Sequence, residues 1–332
     1  MTCYAQAAEL IRRGKRFLLT CHVLPDPDAV GSMLGLAEIL RGMGKDVFCY
    51  NRDPLPDSVA FLPGADAVVT TVPHGVSFDA TLVTDTAARN LLPRSFPPKS
   101  VTGPVIIVDH HLAHDDYGDL MVRDVEACAT AMVVLELARE LGVNPVPPAA
   151  ALPLYTAIVA DTGGFRYPGT TAETLRTAAD LMDAGIDPWQ VASNVFENWP
   201  MSRLRLLGYA INALETEYAG RVAILSVPLA MVERAGASER MVEGMVEYGR
   251  MLGGVEISIM LWERRPRSDE TDYGELLTRL SLRSSGGALD VAAIAAALGG
   301  GGHRTAAGAT LTCGLREARE LVLAEAGRML GL

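Results

Sequence analysis

The apolar run Val105-Ile106-Ile107-Val108 gives way, with no turn residue between, to Asp109-His110-His111. A short continuous run of β-branched residues is the pattern of a strand buried on both faces, which occurs where helices cover a parallel sheet. Two imidazoles and a carboxylate directly after it leave the sheet at its functional edge, because ligands of such sheets bind beyond the carboxyl ends of the strands. The arrangement recurs. Residues 17–21 run into His22-Val23-Leu24-Pro25-Asp26-Pro27-Asp28, Ala80 to Val83 into Thr84-Asp85-Thr86, and Leu154 to Ala160 into Asp161-Thr162-Gly163-Gly164.

Between these runs the apolar spacing turns helical. Ala29 to Met43 carries Leu34, Leu36, Ala37, Ile39 and Leu40 on a helical period, residues 47–50 read as a strand, and helices are expected over about 128–142, 148–160 and 171–184. Three of the polar segments then stand at strand ends and the fourth at the end of a buried helix. The alternation predicts an α/β domain over residues 1–186, a parallel sheet with helices on both faces. Residues 187–214 keep helical pattern around two tryptophans and Pro200 and predict a helical connection. Strands at 222–227, 255–262, 276–283 and 306–311, with helices at 238–252, 290–298 and 315–330, predict a smaller α+β domain over 215–332. The charged stretch from Arg264 to Asp272 reads as a solvated hairpin turn.

A formal charge of −11 argues against a partner such as long duplex nucleic acid, which demands clustered Lys and Arg. It admits a small anionic substrate where cations stand between that substrate and the carboxylates. Five scattered cysteines without a C-x-x-C pair point to a reducing cytoplasm, with neither a disulfide framework nor a thiolate zinc site. No apolar run approaches the roughly 18 residues of a membrane span, and Phe17-Leu18-Leu19 is too short for a signal peptide core, so neither membrane insertion nor export is expected. The apolar helices over 128–160 fit either internal packing or a homodimer surface.

Carboxylates and imidazoles without thiolates form a hard donor set suited to Mn²⁺, Mg²⁺, Co²⁺ or Zn²⁺, and the reaction a pair of such ions serves is phosphoester hydrolysis. Pro25 and Pro27 favour an extended loop, letting Asp26 and Asp28 address different ions before the helix opens over Ala29 to Ser32 with its amides toward an anion. Aspartates also suit turns and caps without any metal. His110 suits a ligand and His111 a substrate phosphate, while Asp109 is placed to accept the ring N–H of a liganding histidine and hold its tautomer. Asp85 and Asp161 taken singly read equally as a helix cap and a helix end; Gly163-Gly164 permits close backbone approach. His74 and His114 read as surface histidines, and Tyr155, Phe165 and Tyr167 as core residues more than base-stacking ones.

The order of these segments resembles the DHH phosphoesterase family, named for Asp-His-His, and the resemblance extends over both domains. It implies that His22, Asp26 and Asp85 hold one Mn²⁺ and that Asp28, Asp85, His110 and Asp161 hold a second, with Asp85 bridging. It also implies that Asp85, Asp109, His110 and His111 form the catalytic set, His111 polarising the phosphate. Two ions about 3.5–4 Å apart would lower the pKa of a bridging water and neutralise charge on the phosphoryl oxygens.

The second specific feature is Leu298-Gly299-Gly300-Gly301-Gly302-His303-Arg304-Thr305-Ala306-Ala307-Gly308. Its glycines offer backbone N–H groups to an anion, with His303 and Arg304 adding donors, although the Lys-Ser/Thr ending of a P-loop is absent. Together with Leu280-Ser281-Leu282-Arg283-Ser284-Ser285 it resembles the DHH-associated C-terminal domain. That likeness implies substrate contacts from Arg283, Ser284, Gly301, Gly302, His303 and Arg304. Within the family, the two-domain length and this segment most resemble the group that degrades very short oligoribonucleotides and dephosphorylates 3′-phosphoadenosine 5′-phosphate, which implies short RNA or a small nucleotide as substrate. Competing readings are a cyclic di-AMP phosphodiesterase, an inorganic pyrophosphatase, which Arg283 and the glycine run oppose, and a nucleotide sensor, which the intact ligand set opposes.

Overall fold

A computed structural model describes residues 2–86, 88–112, 115, 117–266, 276–285 and 289–332. The chain separates into two compact units, Met1–Asn198 and Trp199–Leu332. His114 and the expected turn from residue 267 onward lie outside the described residues.

The first unit runs α1 (Cys3–Arg13), β1 (Arg16–Cys21), α2 (Pro27–Gly42), β2 (Asp46–Tyr50), β3 (Ala80–Thr84), α3 (Lys99–Thr102), β4 (Val105–Asp109), β5 (Leu120–Arg123), α4 (Thr130–Glu140), α5 (Pro148–Asp161), α6 (Ala172–Met182) and α7 (Pro188–Phe196). Its strands are parallel, in the order β2-β1-β3-β4-β5 among the described residues. The order reverses between β1 and β3, where a crevice opens beyond the strand ends. His22 leaves β1 on one side of that switch point and Asp85 leaves β3 on the other.

Leu19, Leu82, Ile106 and Val108 pack on one face of the sheet against Ile11, Met33, Leu34, Val134, Leu137, Leu154 and Ile158 from α1, α2, α4 and α5. The apolar faces of α4 and α5 are thus used inside this core. On the opposite face Leu18, Tyr50 and Phe78 form one small core with Val101 of α3, and Val83, Leu92 and Ile107 form another. Among the described residues the expected helical cover is limited there to α3 and short turns such as Arg89–Leu91.

Two local differences from expectation matter for the site. Helix α2 begins at Pro27, not at Ala29, because proline fits the first helical position, where its missing N–H and fixed φ cost nothing. Asp26 is its N-cap, accepting the Ala29 N–H at 2.9 Å, and Asp28 lies in its first turn. The second difference is the α2–α5 contact. A methyl at Gly31 would stand 2.4 Å from the Pro153 carbonyl oxygen and 3.0 Å from the Ala157 Cβ, and one at Gly35 would stand 2.5 Å from the Leu154 Cγ. Gly31 lets the backbones of the two helices approach, and Gly35 makes room for the Leu154 side chain. Helix α1 and strand β5 are also present, where only charge and a short apolar patch stand in the sequence.

The second unit runs α8 (Met201–Asn212), β6 (Glu215–Glu217), β7 (Val222–Val227), α9 (Leu229–Ala235), α10 (Val246–Arg250), β8 (Ile257–Arg264), β9 (Leu277–Ser284), α11 (Val291–Ala297), β10 (Gly301–His303), β11 (Ala306–Leu311) and α12 (Leu315–Met329). Its mixed sheet has the order β10-β11-β9-β8-β7-β6 among the described residues, with β7–β8 the parallel pair. One face packs Ile257, Ile259, Leu280, Leu282, Ala307 and Ala309 against α11 and α12; the other packs Leu225, Met260 and Trp262 against α8, α9 and α10. The helix expected over 238–252 is split into a short turn, Glu239–Val242, and α10, with Gly244 at φ +82° between them. Among the described residues no helix is long and apolar enough to cross a membrane.

Candidate metal centre

The loops that leave β1, β3 and β4 and the end of α5 converge on one cluster. His22 Nε2 stands 3.6 Å from Asp85 Oδ2 and 4.0 Å from Asp26 Oδ1. His110 Nε2 stands 3.6 Å from Asp85 Oδ1, 3.6 Å from Asp161 Oδ2 and 3.8 Å from Asp28 Oδ2. Donor atoms of His22, Asp26 and Asp85 lie within 4.8 Å of one another, as do those of Asp28, Asp85 and His110, and those of Asp85, Asp109 and His111. Asp85 belongs to all three groups.

The donors fit divalent cations. In each of His22 and His110 the Nδ1 atom meets a backbone carbonyl, that of Val23 at 2.9 Å and that of Ala127 at 3.0 Å. This selects the tautomer with the proton on Nδ1 and leaves the Nε2 lone pair directed at the carboxylates, as in metal-binding histidines. Asp85 holds a left-handed backbone at φ +52°, and Leu24 and Phe165, in neighbouring loops, are at +54° and +63°. For non-glycine residues such conformations cost about 1–3 kcal/mol each and concentrate where function demands them. Gly163 and Gly164, at φ +59° and +71°, follow Asp161, and Gly163 lies directly under the Tyr167 ring.

Protonation reports the same crowding. Burial, then the charges of Asp85 and Asp161, push Asp28 well above the usual carboxylate range. Burial likewise raises Asp161, to about 6, against the opposing charge of His110. Burial alone would lower His22 and His110, but the Asp85 hydrogen bond and the Asp26 and Asp85 charges lift His22 to about 9, and Asp161, Asp28 and Asp85 lift His110 to about 9. Asp85 is held low despite its burial, by the His22 hydrogen bond and the charges of His111 and His110. Protons thus take up the negative charge that divalent cations would otherwise balance, and cation uptake would displace them.

Asp109 differs from expectation. Its Oδ1 accepts the backbone N–H groups of His110 and His111 and meets the His111 Nδ1 at 2.7 Å, so the histidine it orients is His111, while His110 relies on Ala127. The chain turns sharply after β4, which brings the second histidine, not the first, back over the carboxylate.

Several supporting residues went unnoticed in the sequence. Thr130, fully buried at the start of α4, donates its hydroxyl to Asp85 Oδ1 at 2.8 Å and its N–H to Asp28 Oδ2 at 2.9 Å, tying together carboxylates from two loops. Ser32 donates to the other oxygen of Asp28. Asn51 donates to the His22 carbonyl, and Asp53 accepts the Leu24 N–H at 2.7 Å. Asn51-Arg52-Asp53 directly follows a strand, the same junction that marks the other motifs. Thr130→Val is expected to weaken divalent-cation affinity about tenfold by calorimetry, the scale of losing a ligand-orienting partner. Thr130→Ser should retain wild-type affinity; equal affinity in the valine variant would show that Thr130 does not orient the site.

In the second unit Arg283 of β9 and His303 of β10 lie on one face of the sheet, each opposite Ala306 of β11. Ser284 is corrected from the expected set: neighbours on a strand face opposite ways, and it is 1% exposed on the α11–α12 side. Gly301 and Gly302 form an edge strand and not an open loop; a methyl at Gly302 would meet the Ala306 carbonyl at 2.6 Å. Arg304 is exposed in the β10–β11 turn. His74 is exposed, Tyr155 is buried against Phe165, and Tyr167 packs on Gly163.

A parallel sheet whose switch point gathers aspartates and histidines from four chain segments defines a class of metal-site hydrolase folds, and residues 16–158 match the DHH family, N-terminal domain. The NrnA of Thermus thermophilus, a bifunctional oligoribonuclease and PAP phosphatase, is 35% identical over 296 residues, 88% of this chain and 83% of the relative. The NrnA of Bacillus subtilis, of the same description, is 28% identical over 89% of this chain and 88% of its own. An exopolyphosphatase-related protein from Bacteroides fragilis shares the fold, with a TM-score of 0.86 and 24% identity over 99% of this chain and 98% of its own. The chain belongs to the DHH family.

Proposed function

We propose that this protein is a divalent-cation-dependent phosphoesterase that cleaves very short oligoribonucleotides to mononucleotides and removes the 3′-phosphate of 3′-phosphoadenosine 5′-phosphate. The observation that carries this reading is near full-length similarity to relatives of that description together with one carboxylate, Asp85, common to the three candidate ligand groups formed within the first unit. In this reading residues 1–186 form the catalytic domain, 187–214 a helical connection and 215–332 the substrate-binding domain.

His22, Asp26 and Asp85 would hold one cation, and Asp28, Asp85, His110 and Asp161 a second, with Mn²⁺ the ion the donor set suits. Bound there, two divalent cations supply an ionised water at neutral pH and neutralise charge on the phosphoryl oxygens. The chain does the rest. Asp109 fixes the His111 ring through Nδ1, and burial, outweighed by the Asp109 hydrogen bond and the Asp85 charge, leaves the His111 pKa raised, which favours the ring as a donor to a phosphoryl oxygen. Thr130 and Ser32 hold the acceptor carboxylates in place. Arg283, His303, Arg304 and the backbone of Gly301 and Gly302 engage the substrate phosphates. With few basic residues to track a strand, the substrate is short.

Product analysis tests this. Incubated with a divalent cation, the protein should yield AMP from pApA and phosphate from 3′-phosphoadenosine 5′-phosphate, both lost on chelation and restored by Mn²⁺, with slower attack on a long RNA. Release of phosphate from pyrophosphate with no attack on either nucleotide would overturn the reading, and cleavage of cyclic di-AMP in preference to pApA would replace its substrate.

A further inference from the structure

On the face of the second sheet that carries Arg283, the register sets four residues in one row: Ser258 of β8, Arg283 of β9, Ala306 of β11 and His303 of β10. The adjacent row holds Met260, Ser281, Gly308 and Gly301. Small residues therefore floor the space between Arg283 and His303, two strands and roughly 10 Å apart. Ser281, Arg283, Ala306, His303 and Gly308 are all half-exposed, whereas alternate residues of β9 and β11 are buried against α11 and α12.

At the β8 end this row meets α10. Glu247 Oε1 accepts the Nε–H of Arg283 at 2.6 Å, and its other oxygen, Oε2, accepts from Arg250 Nη2 at 2.5 Å. Arg283 Nη1 also donates to the Leu282 carbonyl, while its Nη2 has no partner among the described residues. The three side chains are 19–26% exposed, well short of free solvation. One carboxylate thus pins two guanidiniums, whose planar forks match phosphate oxygens once their rotation is stopped.

We propose that Glu247 is a positioning residue and Arg250 a second phosphate contact: Glu247 fixes Arg250 and Arg283 side by side as a two-guanidinium site for a phosphate of the nucleotide substrate. The inference rests on the reading of Arg283 as a substrate contact. A carboxylate serving only to neutralise one arginine has no need to divide its two oxygens between two of them, and a purely structural cluster has no need to stand at the end of a row of small residues leading to His303. With Nε held by Glu247 and Nη1 by the Leu282 carbonyl, Nη2 of Arg283 is the donor left for an anion.

The test is steady-state kinetics of the cation-loaded enzyme on pApA with Arg283→Ala, Arg250→Ala, Glu247→Asp and the Glu247→Asp/Arg283→Ala pair. Glu247→Asp keeps the charge but shortens the reach, so it separates positioning from electrostatics. Arg283→Ala and Arg250→Ala should each raise KM about tenfold or more, the scale of one charged hydrogen-bond donor. Glu247→Asp should raise KM about fivefold with kcat changed less than twofold, the mark of lost binding rather than lost chemistry. In the Arg283→Ala background the same change should raise KM by less than fivefold, because only Arg250 is then left for Glu247 to position and neighbours in one network are not additive. If Arg283→Ala leaves KM unchanged, the reading of Arg283 fails and the inference with it. If Arg283→Ala raises KM but Arg250→Ala or Glu247→Asp does not, or if Glu247→Asp acts equally in both backgrounds, the inference alone fails. A general loss of stability would lower the melting temperature without the coupling.

Discussion

Asp85→Asn is expected to lower hydrolysis of pApA by at least about 10³-fold, some 4 kcal/mol of barrier, with the protein still folded. The size follows from position. Asp85 shares a ligand group with His22 and Asp26, another with Asp28 and His110, and a third with Asp109 and His111, so removing its charge weakens both cation positions at once. Any other single carboxylate in the cluster serves one. The fold should survive, because an asparagine oxygen still accepts the Thr130 hydroxyl and the side-chain volume is unchanged. Circular dichroism and thermal melting check the folding, and calorimetric titration with Mn²⁺ checks that the loss lies in cation binding. Asp85→Ala should lose as much activity, with an added stability cost from the Thr130 hydroxyl left without its acceptor. Full turnover by a folded Asp85→Asn protein would reject the shared-ligand assignment.

The parallel sheet was legible because its strands are continuous apolar runs that end abruptly in charge: β1, β3 and β4 lie within a residue of where the runs predict them. The site was legible for the same reason, since functional side chains in this architecture leave the strand ends and a strand end is where the pattern breaks. What stayed hidden has a physical account. Thr130 works through one hydroxyl and one N–H, and threonine at a helix start looks the same whether it caps or clamps. The role of Asp109 depended on the turn after β4, which no residue type specifies. Ser284 adjoins Arg283 in sequence, yet strand alternation sends it to the other face, and only the register with β8 tells which residue of the pair faces the glycine strand. The helix expected over 238–252 fails because Gly244 adopts a left-handed conformation that periodicity does not weigh. Glu247 gave no signal at all: a carboxylate three residues before an arginine on a short helix is ordinary surface chemistry until Arg283 arrives from a distant strand.

The glycines of α2 make the other large effect, and its sign is the useful part. In an exposed helix Gly→Ala stabilises by up to about 1 kcal/mol, because alanine loses less freedom on folding. Gly42, exposed at the end of α2 with nothing within 4 Å of an added methyl, should behave so. Gly31 should do the opposite. Its methyl would meet the Pro153 carbonyl at 2.4 Å, a backbone atom that cannot swing aside, so α2 and α5 must part. Overpacking of this kind costs about 1–3 kcal/mol, enough to outweigh the propensity gain and lower the melting temperature by about 2–8 °C; Gly31→Val, with a bulkier branch, should fall at or beyond the upper end. The contact also sets the site. Gly31 lies one turn beyond Asp28 on α2, and its neighbour Ala157 one turn before Asp161 on α5, so the same close approach that admits no side chain brings Asp28 and Asp161 to the His110 ring. Gly31→Ala should therefore weaken cation affinity as well as stability, while Gly42→Ala leaves affinity untouched. A Gly31→Ala protein that gained stability as Gly42→Ala does would mean that α2 and α5 are not locked at this point and that the spacing of the two carboxylates has another origin.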